Sequence, residues 1–216
     1  MNKLLTQAIA EKICKDSGII RLNLGCGFDK KDGFINIDAV DRFNPDYTCD
    51  LSIPLPFPKN SVHLIIATDL FEHFDKYLRY IVMENWANIL KIGGKILLQV
   101  PNMEGILSLM GEIDTEVLME LIYGENMIAS QNYSWHFGNH KWGYTKRSLI
   151  EFGRIFGIEF SIQSGPGNIN AEGIKTRDHL LNDNDIHIYS FGNDHGIGKP
   201  YMSLKEVKDK IHELLP

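Results

Sequence analysis

One run of seven residues, Val62-His63-Leu64-Ile65-Ile66-Ala67-Thr68, constrains this chain more than any other. It is almost continuously apolar and rich in branched side chains. That pattern belongs to a strand covered on both faces of a parallel sheet. Parallel neighbours need long crossover connections, so strands must alternate with helices or loops along the chain. The rest of the sequence obeys this. Residues 19–24 form a β-rich run stopped by Gly25, residues 34–38 a second, and residues 47–50 a short third. After 62–68 comes a helical stretch, with Leu78, Ile81, Val82, Trp86, Ile89 and Leu90 at three- and four-residue spacing. Gly93-Gly94 is expected to end it, and residues 95–100 to form a fifth strand closed by Pro101.

Beyond Pro101 the pattern loosens. Residues 106–110 and 117–122 read as short helices, the second capped by Asp114, while residues 124–144 have no clear period. Thr145 is expected to cap a helix whose inward side chains include Leu149, Phe152 and Phe156. Residues 158–162 and 186–191 read as two closing strands, and Ser203 with Glu206 has the capping-box spacing that opens a terminal helix. Strands that alternate with helices in this way define an α/β layered fold.

Composition removes several classes of function. With 22 basic against 28 acidic residues the net charge is −6, so a basic nucleic-acid footprint is not expected. Apolar content of 44% and charged content of 23% exclude a disordered chain, a collagen and a coiled coil. No stretch approaches the roughly 18 uncharged apolar residues that span a bilayer. Gln7 and Glu11 interrupt the apolar start, which reads as an amphipathic helix rather than a signal peptide. Cys14, Cys26 and Cys49 have no C-x-x-C spacing and no even pairing, which fits a reducing cytoplasm.

The sharpest local signal is Leu22-Asn23-Leu24-Gly25-Cys26-Gly27 at the end of the first strand. Glycines there let the backbone turn tightly and approach a ligand, at the strand end where parallel sheets bind nucleotides. Asp38 ends the next strand, placed to accept hydrogen bonds from a ribose diol. A dinucleotide motif would add a third glycine and an acid about 20 residues on. Here Phe28-Asp29-Lys30 follows Gly27, and only 10 residues separate Gly27 from Asp38. A nicotinamide dinucleotide is therefore disfavoured, and a full crossover helix hardly fits.

These pieces, with Cys49-Asp50-Leu51, Pro54-Leu55-Pro56-Phe57, Asp69-Leu70-Phe71-Glu72-His73-Phe74 and Leu90-Lys91-Ile92-Gly93-Gly94-Lys95, come in the order of a known family. The chain resembles the class I S-adenosylmethionine (SAM)-dependent methyltransferases, in particular the type 11 group, closely over residues 22–103 and more loosely over 135–160. The resemblance implies a Rossmann-like sheet of seven mostly parallel strands, the last antiparallel, with helices on both faces. It implies one domain over residues 1–216, with 101–145 as a substrate-side insertion or lid. Gly25, Cys26 and Gly27 would line the methionine portion of SAM, Asp38 the ribose, and Asp50 with Leu51 the adenine. Thr68 and Asp69 would sit near the sulfonium. Asn23 stands where the family commonly has an acid.

Three side chains are candidates for proton handling at an acceptor. His140, in the family-like segment His140-x-x-Gly143-Tyr144-Thr145, leads, with Asp69 and His73 behind it. An imidazole has an ordinary pKa near 6.5, suited to taking a proton from a hydroxyl at neutral pH. The aromatic loop with Trp135, Trp142 and Tyr144 suits a ring- or sugar-sized small molecule. Glu72 reads as a helix-opening acid. His136 and His140 are four apart, but Gly138 breaks the helix that would aim both at an ion, so no metal is expected. Asp183-Asn184-Asp185 reads as a turn. The competing reading is a SAM-binding protein without turnover of its own, or a partner-dependent subunit.

Overall fold

In the computed structural model, which describes residues 3–124, 139–178, 187–189, 200–203, 205, 206 and 209, the apolar run lies between two parallel neighbours. The run is β4 (Val62–Thr68), flanked by β1 (Arg21–Leu24) and β5 (Leu90–Pro101). Outside β1 come β2 (Ile35–Asp38) and the short β3 (Tyr47–Thr48), both parallel. Beyond β5 lies an antiparallel strand at Asn168–Lys175 (β7), and beyond that Ile158–Ser164 (β6). The seven-stranded order is therefore 3-2-1-4-5-7-6. Chain progression reverses between β1 and β4, and the crevice beyond the strand ends at such a switch point is where ligands bind in open α/β sheets.

The antiparallel strand is not the one the sequence pattern indicates. Residues 187–189, read above as sheet-closing, instead pair with Pro200–Ser203 in a separate antiparallel ribbon, β8 (His187–Tyr189) with β9. Its place in the sheet is taken by β7, whose inward side chains are Ile169, Ala171, Gly173 and Lys175. Two small residues and a lysine disguise the alternation on which strand recognition depends. Gly173 is required there, because a Cβ would meet Ile158 Cγ2 and Phe160 Cε1, each at 2.6 Å. The chain falls into two units, Met1–Asp178 and His179–Pro216, and the sheet belongs to the first. In the second, Ser203 and Glu206 form the expected capping box, with Glu206 N–H donating to Ser203 Oγ at 3.2 Å.

A second difference concerns Gly93-Gly94. Leu90 already pairs with Val62, and the register then shifts before Lys95 pairs with Leu64. The glycines thus form an irregularity inside β5 rather than the end of a helix: Gly93 has φ +79°, where side chains are disfavoured.

Register places Leu22, Ile65, Ile96, Gly173 and Phe160 in one row, and Leu24, Ala67, Leu98, Ala171 and Ile162 in the next. On this face pack α2 (Leu78–Ile89) and α3 (Lys146–Ile155). Tyr80 meets Phe152 with centroids 4.9 Å apart, and Phe71 meets Trp86 at 5.5 Å. Thr145 and Ser148 cap α3 reciprocally, and Leu149, Phe152 and Phe156 are all buried, as the spacing predicts. On the opposite face, Ile66, Thr68, Leu97 and Gln99 help to line an open cavity of about 380 Å³. The double-sided cover expected for β4 is thus incomplete among the described residues. An N-terminal helix, α1 (Gln7–Asp16), is capped by Thr6, and Leu5 N–H donates to the carbonyl of Thr48 at 3.1 Å. No described helix is long and apolar enough to cross a membrane.

Candidate functional site

The site is built from the turn after β1. Gly25 and Gly27 have φ of +63° and +48°, a region only glycine enters without strain. A Cβ on Gly25 would strike Leu70 Cδ1 at 2.9 Å, whereas one on Gly27 would meet nothing within 4 Å. Gly27 therefore borders open space while Gly25 is packed from behind. Asp38, at the end of β2, holds the turn: one carboxylate oxygen accepts from Gly27 N–H and the other from Val40 N–H, both at 2.8 Å. A carboxylate has about four lone-pair directions, so two remain for a diol. Cys26 between the glycines is buried, and burial pushes its thiol up to about 11, which keeps it neutral.

The connection from Gly25 to Phe34 contains no helix, as its length requires. Asn23 and Asn36 hold it in place. Asn23 Nδ2 donates to the Asp29 carbonyl and to Asn36 Oδ1, each at 2.9 Å. Asn36 Oδ1 also accepts from Lys31 N–H at 2.8 Å, and Asn36 Nδ2 donates to Asp46 at 2.9 Å. Position 23 must therefore donate, which an acid could not do.

Cys49 N–H donates to the Asp38 carbonyl at 2.9 Å, which sets the next segment beside the turn. Asp50 is exposed, and one of its oxygens accepts from Ser52 N–H and Oγ. Leu51 beside it is buried. The chemistry of this set fits a nucleoside-bearing cofactor such as SAM: an acceptor for a diol, an acceptor for an exocyclic amine, an apolar wall, and backbone that a ligand can approach.

At the tip of β4, Asp69 takes a left-handed φ of +48°. Its N–H donates to the Gln99 carbonyl at 3.0 Å, and its carboxylate accepts from Gln99 Nε2 at 3.2 and 3.3 Å. Gln99 belongs to no sequence motif; only the register of β4 with β5 puts it there. Thr68 faces the cavity.

Glu72 differs from its sequence reading. It sits in a 3-10 turn, Phe71–His73, well before α2, and is 1% exposed rather than at a solvated helix end. Phe71 stacks on Tyr144 with centroids 5.4 Å apart, which carries the turn into the core. Neither carboxylate oxygen of Glu72 has a hydrogen-bond partner, and burial pushes the carboxyl up to about 8. The segment after residue 138 docks on this turn, because Lys141 and Trp142 N–H both donate to the Glu72 carbonyl, at 2.8 and 3.1 Å. That brings His140 Nε2 to 3.9 Å from Glu72 Oε1, and the His73 and His140 rings to 5.4 Å between centroids. Burial lowers the His73 pKa. Alongside, the buried Arg79 lies over Trp142 at 4.2 Å and Phe152 at 4.8 Å, an aromatic box that no spacing announced. Trp135, His136 and Asp183–Asp185 lie outside the described residues.

No family model and no curated protein matches the chain. Solved structures do. A SAM-dependent methyltransferase from Clostridium acetobutylicum superposes with TM-score 0.52 at 13% identity, covering 77% of this chain and 88% of that one. A SAM-dependent methyltransferase from Thermotoga maritima gives TM-score 0.51 at 14% identity, over 80% and 89%. A Haloferax volcanii methyltransferase in complex with the Trm112 activator gives TM-score 0.51 at 15% identity, over 80% and 90%. The chain has the class I SAM-dependent methyltransferase fold.

Proposed function

We propose that this protein is a SAM-dependent methyltransferase that methylates oxygen on a small-molecule or sugar-like acceptor. The observation that carries the reading is the Gly25–Gly27 turn, open at Gly27 and gripped by Asp38 through Gly27 N–H at 2.8 Å, at the switch point of a 3-2-1-4-5-7-6 sheet. Bound SAM supplies an electrophilic methyl group, already activated on sulfur. The chain's task is to orient it, align the acceptor and exclude water, and alignment alone supplies several kcal/mol. In this reading Gly25, Cys26 and Gly27 lie along the methionine portion and Asp38 takes the ribose hydroxyls. Asp50 takes the adenine amine against Leu51, and Thr68 and Asp69 border the reacting centre. His140 is the leading proton acceptor for a hydroxyl, with Asp69 and His73 as the other candidates. The half-buried Trp142 borders the acceptor side, whereas Tyr144, expected there from the sequence, is fully buried against Phe71 and belongs to the core.

The whole chain, residues 1–216, then serves one methyltransferase domain with 101–145 as its acceptor-side insertion. The three free thiols support a cytoplasmic location. Calorimetric titration with SAM tests the cofactor: no binding sinks the reading. Turnover across hydroxyl acceptors then tests the activity. The second reading, a SAM-binding pseudoenzyme or partner-dependent subunit, is favoured by the Trm112-bound neighbour and by the sheet cavity open at Thr68 and Gln99. Binding of SAM without turnover on any acceptor supports it.

A further inference from the structure

The structure assigns a divalent-cation site to Glu72, His73 and His140, a set that no spacing in the sequence brings together. One ligand atom from each lies within 4.8 Å of the others. Glu72 is the central observation. It is 1% exposed, both its oxygens lack a hydrogen-bond partner, and it points to two imidazoles. An unpaired buried carboxylate is costly, and the cost is relieved either by a proton or by a cation that displaces the proton.

The histidines are already oriented as ligands. His73 Nδ1 lies 3.0 Å from the Asn139 carbonyl and His140 Nδ1 lies 3.3 Å from the Ile122 carbonyl. A carbonyl only accepts, so each Nδ1 carries the hydrogen and, in the neutral ring, Nε2 keeps its lone pair; the Asp69 carbonyl also lies beside His73. Metal-ligating histidines are held in this way, by a backbone carbonyl on the other ring nitrogen. Two imidazoles and one carboxylate suit zinc or a neighbouring first-row ion better than magnesium, which prefers oxygen. Bonds of about 2.1 Å to a tetrahedral ion set ligand atoms about 3.4 Å apart, so side-chain shifts under about 1 Å close the site.

Three protein ligands leave a position open for water or an acceptor hydroxyl. The hydroxyl rests on the methyltransferase reading; the ion does not. A bound ion makes His140 Nε2 a ligand rather than a free base, and these roles exclude each other.

The test is zinc binding to the full chain by calorimetry, with cobalt(II) absorption as a second probe of coordination. One equivalent should bind, cobalt should show the intense visible bands of a low-coordinate nitrogen-oxygen site, and Glu72→Gln and His73→Ala should each weaken zinc by at least 100-fold. Far-UV circular dichroism checks that each variant folds; if Glu72→Gln does not, His140→Gln replaces it. No saturable uptake by the unaltered chain, or equal uptake by the variants, overturns the ion and leaves His140 as the base. Titration with SAM, run separately without metal, tests the cofactor reading on its own.

Discussion

Asn23 donates across β1 and β2 to Asn36 Oδ1 at 2.9 Å while also donating to the Asp29 carbonyl at 2.9 Å, both from Nδ2. This buried pair takes over the work of a crossover helix: it fastens the short connection to the sheet face.

Asn23→Asp keeps the shape of the side chain but would set a buried charge against two acceptors. The substitution should destabilise the fold by about 2–4 kcal/mol, from two lost hydrogen bonds and one unpaired charge. Urea unfolding measures it. A loss below about 0.5 kcal/mol would mean that Asn23 does not hold the connection.

The two glycines should respond differently to alanine. Gly27→Ala places a Cβ in open space at φ +48°, so stability should fall by only about 1–2 kcal/mol while SAM affinity drops tenfold or more. Gly25→Ala adds the Leu70 contact at 2.9 Å and should lower the melting temperature further. Calorimetry and thermal unfolding on both variants separate the effects; equal SAM binding by Gly27→Ala and the unaltered protein contradicts the cradle.

Asp38→Asn keeps the shape but replaces one of two acceptors with a donor facing an N–H. SAM binding should weaken by at least tenfold, since charge-assisted bonds to a diol are lost together with the grip on the turn. Unchanged affinity would place the ribose elsewhere.

Acid stability should depend on Asp178. Lys175 and Lys59 pair with its carboxylate at 2.8 and 2.7 Å and hold it at about 2, below the ordinary 3.8. A depressed carboxyl stabilises the fold fully above its unfolded pKa and loses that effect as pH falls through the folded value. The urea midpoint should therefore fall between about pH 4 and 2, and less steeply in Asp178→Asn. Lys175 itself is buried and donates to Asn60 Oδ1 at 2.8 Å and the Leu90 carbonyl at 2.9 Å. Lys175→Met should cost about 2–4 kcal/mol by leaving those acceptors unpaired.

In metal-free buffer, where His140 Nε2 is free to act as the base, His140→Ala should lower turnover on a hydroxyl acceptor by about 10² to 10⁴, the range for loss of acid–base assistance. SAM affinity should stay near that of the unaltered chain. Full turnover in the variant removes His140 from the reaction.

Much of the fold was legible because its signals are local. The runs at 62–68 and 158–162 reveal strands by their own composition. Thr145 reveals a helix start by its position before Leu149 and Phe152, and Gly25 to Gly27 announce a turn. The seventh strand was not legible: Ala171, Gly173 and Lys175 face inward only because Ile158 and Phe160 lie against them and Lys175 finds acceptors on β5 and Asn60. The cofactor cradle likewise divides. The glycines and Asp38 were visible, but the reason for Asn23 required knowing that it points at Asn36.

The positions of the first five strands, the turn and its acid follow from the chain's own pattern, since each depends on neighbours a few residues away or on apolar periodicity. The burial of Glu72, its approach to His140, and the support of Asp69 by Gln99 were decided only in three dimensions. Each joins residues at least 30 positions apart. What joins them is backbone docking on the Glu72 carbonyl and strand register, and neither leaves a mark on the spacing of the side chains concerned.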